Sequence, residues 1–203
     1  IMSSNNNTKI TKLSAHKKQR IIDHILFNKS LKSILKKILG NDLYLLNEQY
    51  IVKPPCKNKN MHNENDKTTA FQWHRDYDSL KDKCKNTLYP YVSVWIALHD
   101  MTLNNGCLFI LPKHLEDDFN KGGGELNIYD VTLEHLSKCN YSNACKYFKP
   151  ILLKKGDVCI LSNDVWHCSV PNTTDDFRIA YMPQYSSGAI YYDEDMNSDA
   201  VIS

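Results

Sequence analysis

The sequence lacks three features that would mark a membrane protein, a nucleic-acid-binding protein or a zinc ribbon. No apolar run approaches the roughly 18 residues that a membrane-spanning helix needs, and we expect no signal peptide. The formal net charge of +2 is too small to predict binding to nucleic acid or to an anionic membrane. The seven cysteines form no CxxC pair, so we interpret them as mostly reduced thiols rather than zinc ligands.

The composition and the apolar pattern predict one domain with a helical front and a strand-rich rear. A chain of 203 residues fits a single domain, and its 42% of hydrophobic residues can form a sizeable core. Apolar residues at helical spacing predict supporting helices within residues 1–40, the second capped by Ser30 and ended by Gly40. The apolar stripe of that second helix consists of Leu31, Ile34, Leu35, Ile38 and Leu39. Residues 56–69 are polar and rich in Asn and Lys, which predicts a mobile surface insertion.

From Leu43 onward the pattern is typical of β-strands. Residues 43–53 form a first strand segment, and residues 91–98 alternate between two faces. One of these faces carries Val92, Val94, Ile96 and Leu98, and the other carries Tyr91, Ser93, Trp95 and Ala97. Turn signals at 104–106 and 155–157 precede further strands, and residues 113–148 are mixed. Roughly eight strand segments without βαβ alternation predict a barrel or a two-sheet jelly roll.

The segment "AFQWHRDYDSL" places His74 and Asp76 one residue apart. On a strand, residues two apart point to the same face, so these side chains would project together while Arg75 points away. An imidazole beside a carboxylate supplies two ligands of the two-histidine, one-carboxylate site that holds non-haem iron. A hydrogen-bonded His–Asp pair without metal is the alternative. His167, in the apolar segment "VWHCSV", is then the best candidate for the third ligand.

Arg178 interrupts the apolar strand "FRIAYM" on the face opposite Phe177 and Ile179. An arginine on the inner face of a barrel needs an anionic partner, because an unpaired buried charge is very costly. A small dicarboxylate that accepts two hydrogen bonds from the guanidinium would satisfy it. The alternative is an arginine at the rim, paired with Asp175 or Asp176.

Three segments, "WHRD", "VSVWIALHDMTLNNGCLFILP" and "KKGDVCILSNDVWHCSVPNTTDDFRIAYMPQY", together resemble the phytanoyl-CoA dioxygenase family of Fe(II)/2-oxoglutarate oxygenases. The nearer resemblance is to the phytanoyl-CoA dioxygenase domain-containing protein group, and it runs from about Lys12 to Gln184. It implies a mainly β fold, a double-stranded β-helix of the jelly-roll, cupin-like type, with N-terminal helices supporting one sheet.

The resemblance also implies a set of site residues. The iron ligands would be His74, Asp76 and His167. Arg178 would bind the distal carboxylate of 2-oxoglutarate with the Ser169 hydroxyl, and Trp95 would line the cosubstrate pocket. Lys12 matches a lysine that contacts 2-oxoglutarate, and Gln49 stands where the family often has methionine.

The activity that the resemblance implies is hydroxylation of an unidentified substrate, coupled to decarboxylation of 2-oxoglutarate to succinate. Fe(II), 2-oxoglutarate and O2 would be required, with ascorbate as a stimulating reductant. The intact carboxylate of Asp76 favours hydroxylation, because halogenating relatives carry a small residue there. An acyl-CoA, a free small molecule and a protein side chain all stay open as substrates. Two other classes stay open as well: a cupin-like metalloprotein without 2-oxoglutarate chemistry, and a metal-free jelly-roll binding module.

These expectations extend to organisation and location. We expect residues 1–203 to form one oxygenase domain in which residues 113–148 are substrate-side loops. The expected partner is a small-molecule or acyl-type substrate, with no nucleic acid and no membrane span. We expect an intracellular, cytoplasmic location, and the final "VIS" is not the serine-lysine-leucine signal of peroxisomal proteins.

Overall fold

A computed structural model describes residues 24–56, 69–84, 87–122, 128–131, 136, 146–191 and 201–202 of the protein. Of the first predicted helix it describes a helical turn at residues 24–26. Most of the predicted insertion, residues 57–68, lies outside the described residues. No helix in the described part of the chain has the length and apolar character needed to cross a membrane.

The second predicted helix is present as α1, Lys29–Leu39, but its cap differs from the prediction. The Asn28 side chain, rather than Ser30, caps it by accepting hydrogen bonds from the backbone N–H groups of Ser30 and Leu31. Ser30 cannot serve as the cap because it already lies in the first turn. Gly40 ends the helix as predicted, with φ +103°, a value that favours glycine.

The apolar stripe of α1 is only partly buried. Leu35 is buried, whereas Ile34 and Ile38 are 47% and 52% exposed. Leu35 packs with Leu26 against apolar side chains from the outer face of a β-sheet. The prediction of a supporting helix is confirmed, but its buried face is narrower than the apolar stripe indicates.

Nine strands follow in chain order in the described part of the chain. They are β1 Leu43–Lys53, β2 Phe71–His74, β3 Tyr91–Ala97, β4 Leu108–Leu111, β5 Lys149–Ile151, β6 Val158–Ser162, β7 Trp166–Ser169, β8 Arg178–Ser186 and β9 Val201–Ile202. A five-stranded antiparallel sheet has the order β6-β3-β8-β1-β9, and a four-stranded antiparallel sheet has the order β2-β7-β4-β5. The predicted two-sheet jelly roll is confirmed.

The five-stranded sheet separates two apolar clusters. The inner faces of both sheets contribute to the larger cluster, which includes Trp95 and Ala97 of β3. Val92, Val94 and Ile96 point the other way, toward α1. The alternation predicted for β3 is therefore confirmed. It arises because successive side chains of a strand point to opposite faces, and both faces of β3 are covered.

A register irregularity in β1 determines which of its residues face the site. The pairing of β1 with β8 shifts between Leu45 and Asn47. Before this bulge, Leu45 packs in the outer cluster, and after it Ile51 packs in the inner one. One extra residue reverses the side-chain alternation, so Asn47, Gln49, Ile51 and Lys53 share the inner face.

The mixed segment 113–148 contains a regular helix that was not predicted from the sequence. Helix α3 spans Lys113–Gly122, and a short 3-10 helix spans Ile128–Asp130. A one-turn helix, α2, spans Asp76–Leu80. The predicted turns at Gly106 and Gly156 are confirmed, with φ values of +92° and +98°.

Candidate metal centre and cosubstrate pocket

His74 and His167 lie directly opposite each other in strands β2 and β7 of the four-stranded sheet. The Nδ1 atom of His74 is 2.7 Å from the Gln72 carbonyl oxygen, and Nδ1 of His167 is 3.0 Å from that of Val165. A carbonyl oxygen only accepts hydrogen bonds, so each Nδ1 carries the hydrogen and each Nε2 keeps its lone pair free. Both rings therefore present a metal-binding nitrogen on the same side of the sheet.

Asp76 does not lie on a strand, contrary to the sequence prediction. Strand β2 ends at His74, and Asp76 is the first residue of α2. Arg75 nevertheless has extended backbone angles, φ −112° and ψ 138°, so the side chains before and after it still point the same way. Arg75 itself points away, as predicted, and pairs with Asp78 at 2.8 Å.

These three side chains converge as a possible ligand set. One ligand atom from each of His74, Asp76 and His167 lies within 4.8 Å of the other two. Asp76 Oδ1 is 3.9 Å from Nε2 of His74 and 3.8 Å from Nε2 of His167. Both separations are below about 4.2 Å, twice a typical metal–ligand bond, so one ion can bridge either pair.

The electrostatics of the cluster suit a divalent cation. Burial lowers the pKa of His167, and the neighbouring His74 lowers it further, which favours the neutral imidazole that binds metals. The His167 side chain is 7% exposed and that of Asp76 is 14% exposed, whereas that of His74 is 40% exposed. The cluster is therefore open on the His74 side.

Arg178 is completely buried on the inner face of β8, and it is not the rim arginine of the alternative interpretation. Its Nη2 donates a hydrogen bond to the Gly106 carbonyl oxygen at 2.5 Å, and its guanidinium carbon lies 5.5 Å from the Trp95 ring centroid. Nε and Nη1 have no hydrogen-bond partner among the described residues. Burial lowers the pKa of Arg178 to about 10, so the buried group stays charged at neutral pH.

Lys53 is a second buried basic residue, and it was not among the residues predicted for the site. It is paired in register with Arg178 across β1 and β8, and it is also completely buried. Its side-chain nitrogen Nζ donates to the carbonyl oxygens of Thr69 and Val170. Burial, with the nearby Arg178 as the second cause, lowers the pKa of Lys53 to about 6. No local signal in the sequence indicates it, because Lys53 reaches the inner face only through the bulge in β1.

The other predicted pocket residues fall into three groups. Trp95 and Ser169 are buried, and the Ser169 hydroxyl has no hydrogen-bond partner in the described part of the chain. Gln49 is half-buried and lies opposite Met182 in β8. Lys12 lies outside the described residues. Two buried polar residues at the site, Ser93 and Gln184, were also missed as contributors. Their shared face with Trp95 and Arg178 was the signal.

Helix α3 lies beside the candidate metal centre and contacts Trp166, which immediately precedes His167. The Trp166 indole N–H donates to Glu116 of α3 at 3.2 Å, and the Arg75 guanidinium stacks on its ring at 4.9 Å. Lys113 of α3 also pairs with Asp164 at 2.9 Å. These contacts place α3 at the outer side of the strands that carry the two histidines.

The two antiparallel sheets form a jelly roll, the fold of the double-stranded β-helix class of proteins, and the His-Asp-His cluster lies between them. Within that class, the chain belongs to the phytanoyl-CoA dioxygenase (PhyH) family, whose sequence profile matches residues 3–180. The resemblance read from the three sequence segments is thereby confirmed.

Two curated relatives carry the same family name. The chain is 28% identical over 119 residues to the phytanoyl-CoA dioxygenase domain-containing protein 1 homolog of Dictyostelium discoideum. It is 23% identical over 166 residues to phytanoyl-CoA dioxygenase domain-containing protein 1 of Danio rerio. The matches cover 51% and 82% of this chain, but only 38% and 53% of the relatives' lengths.

Solved structures establish the fold independently. The non-heme alpha-ketoglutarate-dependent carbocyclase SnoK from nogalamycin biosynthesis superposes with a TM-score of 0.62 at 18% identity, covering 93% of this chain and 70% of SnoK. EctD from S. alaskensis, solved with 2-oxoglutarate and 5-hydroxyectoine, superposes with a TM-score of 0.60 at 18% identity, covering 85% and 54%. At these identities the likeness establishes the jelly-roll fold.

Proposed function

We propose that the protein is an Fe(II)- and 2-oxoglutarate-dependent dioxygenase that hydroxylates a small-molecule substrate. The observation that carries this proposal is Arg178, a fully buried cation in the same interior as the His-Asp-His cluster. Two of its N–H-bearing nitrogens have no hydrogen-bond partner among the described residues. A buried guanidinium with no carboxylate partner destabilises the folded state unless a bound anion compensates its positive charge. Membership of the phytanoyl-CoA dioxygenase family supports the same chemistry.

His74, Asp76 and His167 would hold the iron through two Nε2 atoms and Asp76 Oδ1. Three protein ligands leave positions for a cosubstrate and for O2. With 2-oxoglutarate and O2, Fe(II) would supply the oxidising chemistry that couples decarboxylation to succinate with hydroxylation of the substrate. The chain contributes the neutral imidazoles, the carboxylate charge and the buried surroundings. The intact Asp76 carboxylate favours hydroxylation over halogenation.

Arg178 would bind the distal carboxylate of 2-oxoglutarate with Nε and Nη1, because Nη2 already donates to Gly106. The Ser169 hydroxyl, also without a partner among the described residues, would donate a further hydrogen bond. Lys53 would add a second positive charge beside the dicarboxylate. Trp95 would cover the carbon chain of the cosubstrate. Gln49 and Lys12 are further proposed contacts on the evidence of family position alone.

We propose that residues 1–203 act as one oxygenase domain. Part of residues 113–148 would lie beside the substrate entrance, which the contacts of α3 with Trp166 and Asp164 support. Free thiols at the five described cysteines agree with a reducing, cytoplasmic location. The net charge of +2 agrees with a small-molecule or acyl-type substrate rather than nucleic acid.

The first experiment measures succinate formed from 2-oxoglutarate with Fe(II), ascorbate and O2, and without added substrate. Wild type should give slow turnover that Asp76→Ala abolishes, because the variant loses the carboxylate ligand. Asp82→Ala is the matched control: it removes an exposed carboxylate outside the site and should keep wild-type turnover.

Absence of turnover in wild type would have two explanations: the site reacts only when its substrate is bound, or the protein is not an oxygenase. Binding of 2-oxoglutarate to the Mn(II)-loaded protein then decides between these two. A cupin-like metalloprotein would bind Mn(II) but not 2-oxoglutarate, and Arg178→Ala would leave it unchanged. A metal-free binding module would show no thermal stabilisation by Mn(II).

A further inference from the structure

The two carboxylate oxygens of Asp76 have different surroundings. Oδ1 faces the Nε2 atoms of both histidines, at 3.9 Å and 3.8 Å. Oδ2 points the other way and accepts a hydrogen bond from the Ser93 hydroxyl at 2.5 Å. The Gln184 side-chain amide also donates to Oδ2, at 3.3 Å. One oxygen therefore faces the candidate metal position while the other is engaged by the protein.

The donors to Oδ2 form a chain that runs in one direction across three strands. The Asn47 amide on β1 donates to the Gln184 carbonyl oxygen on β8 at 3.3 Å. The Gln184 amide nitrogen donates to the Ser93 hydroxyl on β3 at 2.8 Å, and that hydroxyl donates to Asp76. Ser93 is completely buried, and Gln184 is nearly so. Hydrogen bonds to a charged acceptor in such surroundings are stronger than ordinary ones.

These hydrogen bonds hold the Asp76 side chain in place, which the backbone around Asp76 does not do. His74 and His167 are held by the ladder of the four-stranded sheet and by backbone carbonyls at their Nδ1 atoms. Asp76 lies beyond the end of β2 and belongs to neither sheet. Its carboxylate is held instead by the opposite, five-stranded sheet, to which Ser93 and Gln184 belong. The position of the Asp76 carboxylate thus depends on how the two sheets are aligned.

We propose that Ser93 and Gln184 are positioning residues that reserve Oδ2 for the protein, so that Asp76 gives the metal a single oxygen, Oδ1. The inference rests on the proposed metal site and extends it to two residues that would act through Asp76. Two donors occupy the lone pairs of Oδ2, which prevents the carboxylate from taking a second coordination position. That position stays open for cosubstrate or O2. Asn47 orients the Gln184 amide through the carbonyl oxygen.

The test titrates the whole chain with Co(II), which reports both affinity and coordination through its visible absorption. Ser93→Ala and Gln184→Met each remove one donor to Oδ2, and each should weaken Co(II) binding by about 10- to 100-fold. The absorption spectrum should change as well, because a freed Oδ2 can reach the metal. Ser93→Thr retains the hydroxyl and should restore affinity to within about threefold of wild type.

Ser186→Ala is the matched control. It removes another completely buried serine hydroxyl, which donates to the Gly188 carbonyl oxygen at 2.7 Å on the same strand as Gln184. It should lower thermal stability but leave Co(II) affinity and spectrum unchanged. Thermal unfolding of the metal-free proteins identifies any variant that fails to fold. If Gln184→Met does so, Ser93→Ala and Ser93→Thr still provide the comparison.

The outcomes separate this role from the proposed function. Folded Ser93→Ala and Gln184→Met proteins with wild-type affinity and spectrum would overturn the positioning role and leave the metal site standing. Loss of affinity equal to that of Ser186→Ala would overturn it too, because a general packing effect would then explain the loss. A wild-type protein that binds no Co(II) would overturn the metal site and, with it, the positioning role.

Discussion

Lys53 and Arg178 lie opposite each other on neighbouring strands, both completely buried. Neither has a carboxylate within ion-pair distance among the residues that the structure describes. Two buried cations in register destabilise the folded state unless an anion is bound or one of them loses its proton. The lowered pKa of Lys53 is the second of these solutions, and a bound dicarboxylate is the first.

Arg178→Met should separate binding from stability. Affinity for 2-oxoglutarate should fall by at least about 10-fold, because each charge-assisted hydrogen bond contributes about 1.5–3 kcal/mol. The free energy of unfolding without ligand should stay constant or rise, because an uncompensated buried charge is removed. Isothermal titration and urea unfolding measure the two quantities. Full 2-oxoglutarate affinity in this variant would contradict the proposed role of Arg178.

The stability of the ligand-free protein should depend on pH through Lys53. The folded-state pKa of about 6 lies below the ordinary value of 10.5, so between these values the unfolded chain binds the additional proton. The free energy of unfolding therefore rises with pH in this window, by up to about 1.4 kcal/mol per pH unit. Lys53→Met should remove this contribution. Urea unfolding of both proteins at several pH values measures it, and parallel curves would refute it.

Binding of 2-oxoglutarate should be accompanied by proton uptake above about pH 6, because a dicarboxylate beside Lys53 favours the charged ammonium. Calorimetry in two buffers with different ionisation enthalpies measures the number of protons taken up. Lys53→Met is expected to take up fewer protons than wild type. Equal proton uptake in the two proteins would show that Lys53 is not the group that binds the proton.

Gly106→Ala should damage the pocket more than Gly156→Ala. A Cβ atom at Gly106 would lie 2.5 Å from Lys53 Cδ and 2.8 Å from the Val170 carbonyl oxygen, whereas one at Gly156 would meet nothing within 4 Å. Both glycines have positive φ, so both variants pay about 1–2 kcal/mol of backbone strain. The additional loss of unfolding free energy in Gly106→Ala measures the cost of the close contacts with Lys53 and Val170. Equal midpoints of urea unfolding would show that the pocket accommodates the methyl group.

Asn172 holds the loop between β7 and β8, and its amide cannot be replaced by a carboxylate. The buried side-chain nitrogen donates to the carbonyl oxygens of Lys53, Pro54 and Asp176 at 3.2, 3.0 and 2.7 Å. Asn172→Ala should cost about 1–3 kcal/mol by leaving buried acceptors unpaired. Asn172→Asp should cost at least as much, because a carboxylate accepts but does not donate. Chemical unfolding that finds Asn172→Asp as stable as wild type would contradict this role.

Most strands, the jelly roll and the convergence of His74, Asp76 and His167 could be predicted from the sequence. Val94 and Trp95 pack on opposite faces of β3, because successive side chains of a strand alternate. The local sequence is enough to predict this alternation. The segment beyond Pro112 was predicted less well. Helix α3 packs Leu115 and Phe119 against the larger apolar cluster. Its Glu116 and Lys113 contact Trp166 and Asp164, which lie on another part of the chain.

The sequence by itself determined which residue types are present at 74, 76, 167 and 178, and on which strand face most of them lie. The tertiary structure decided how their charges are compensated. A bulge in β1 and its register with β8 bring Lys53 beside Arg178 and Asn47 beside Gln184. The packing of two sheets then brings Ser93 to Asp76, which has left its own strand. Such contacts join residues far apart in the chain, so no local pattern can specify them.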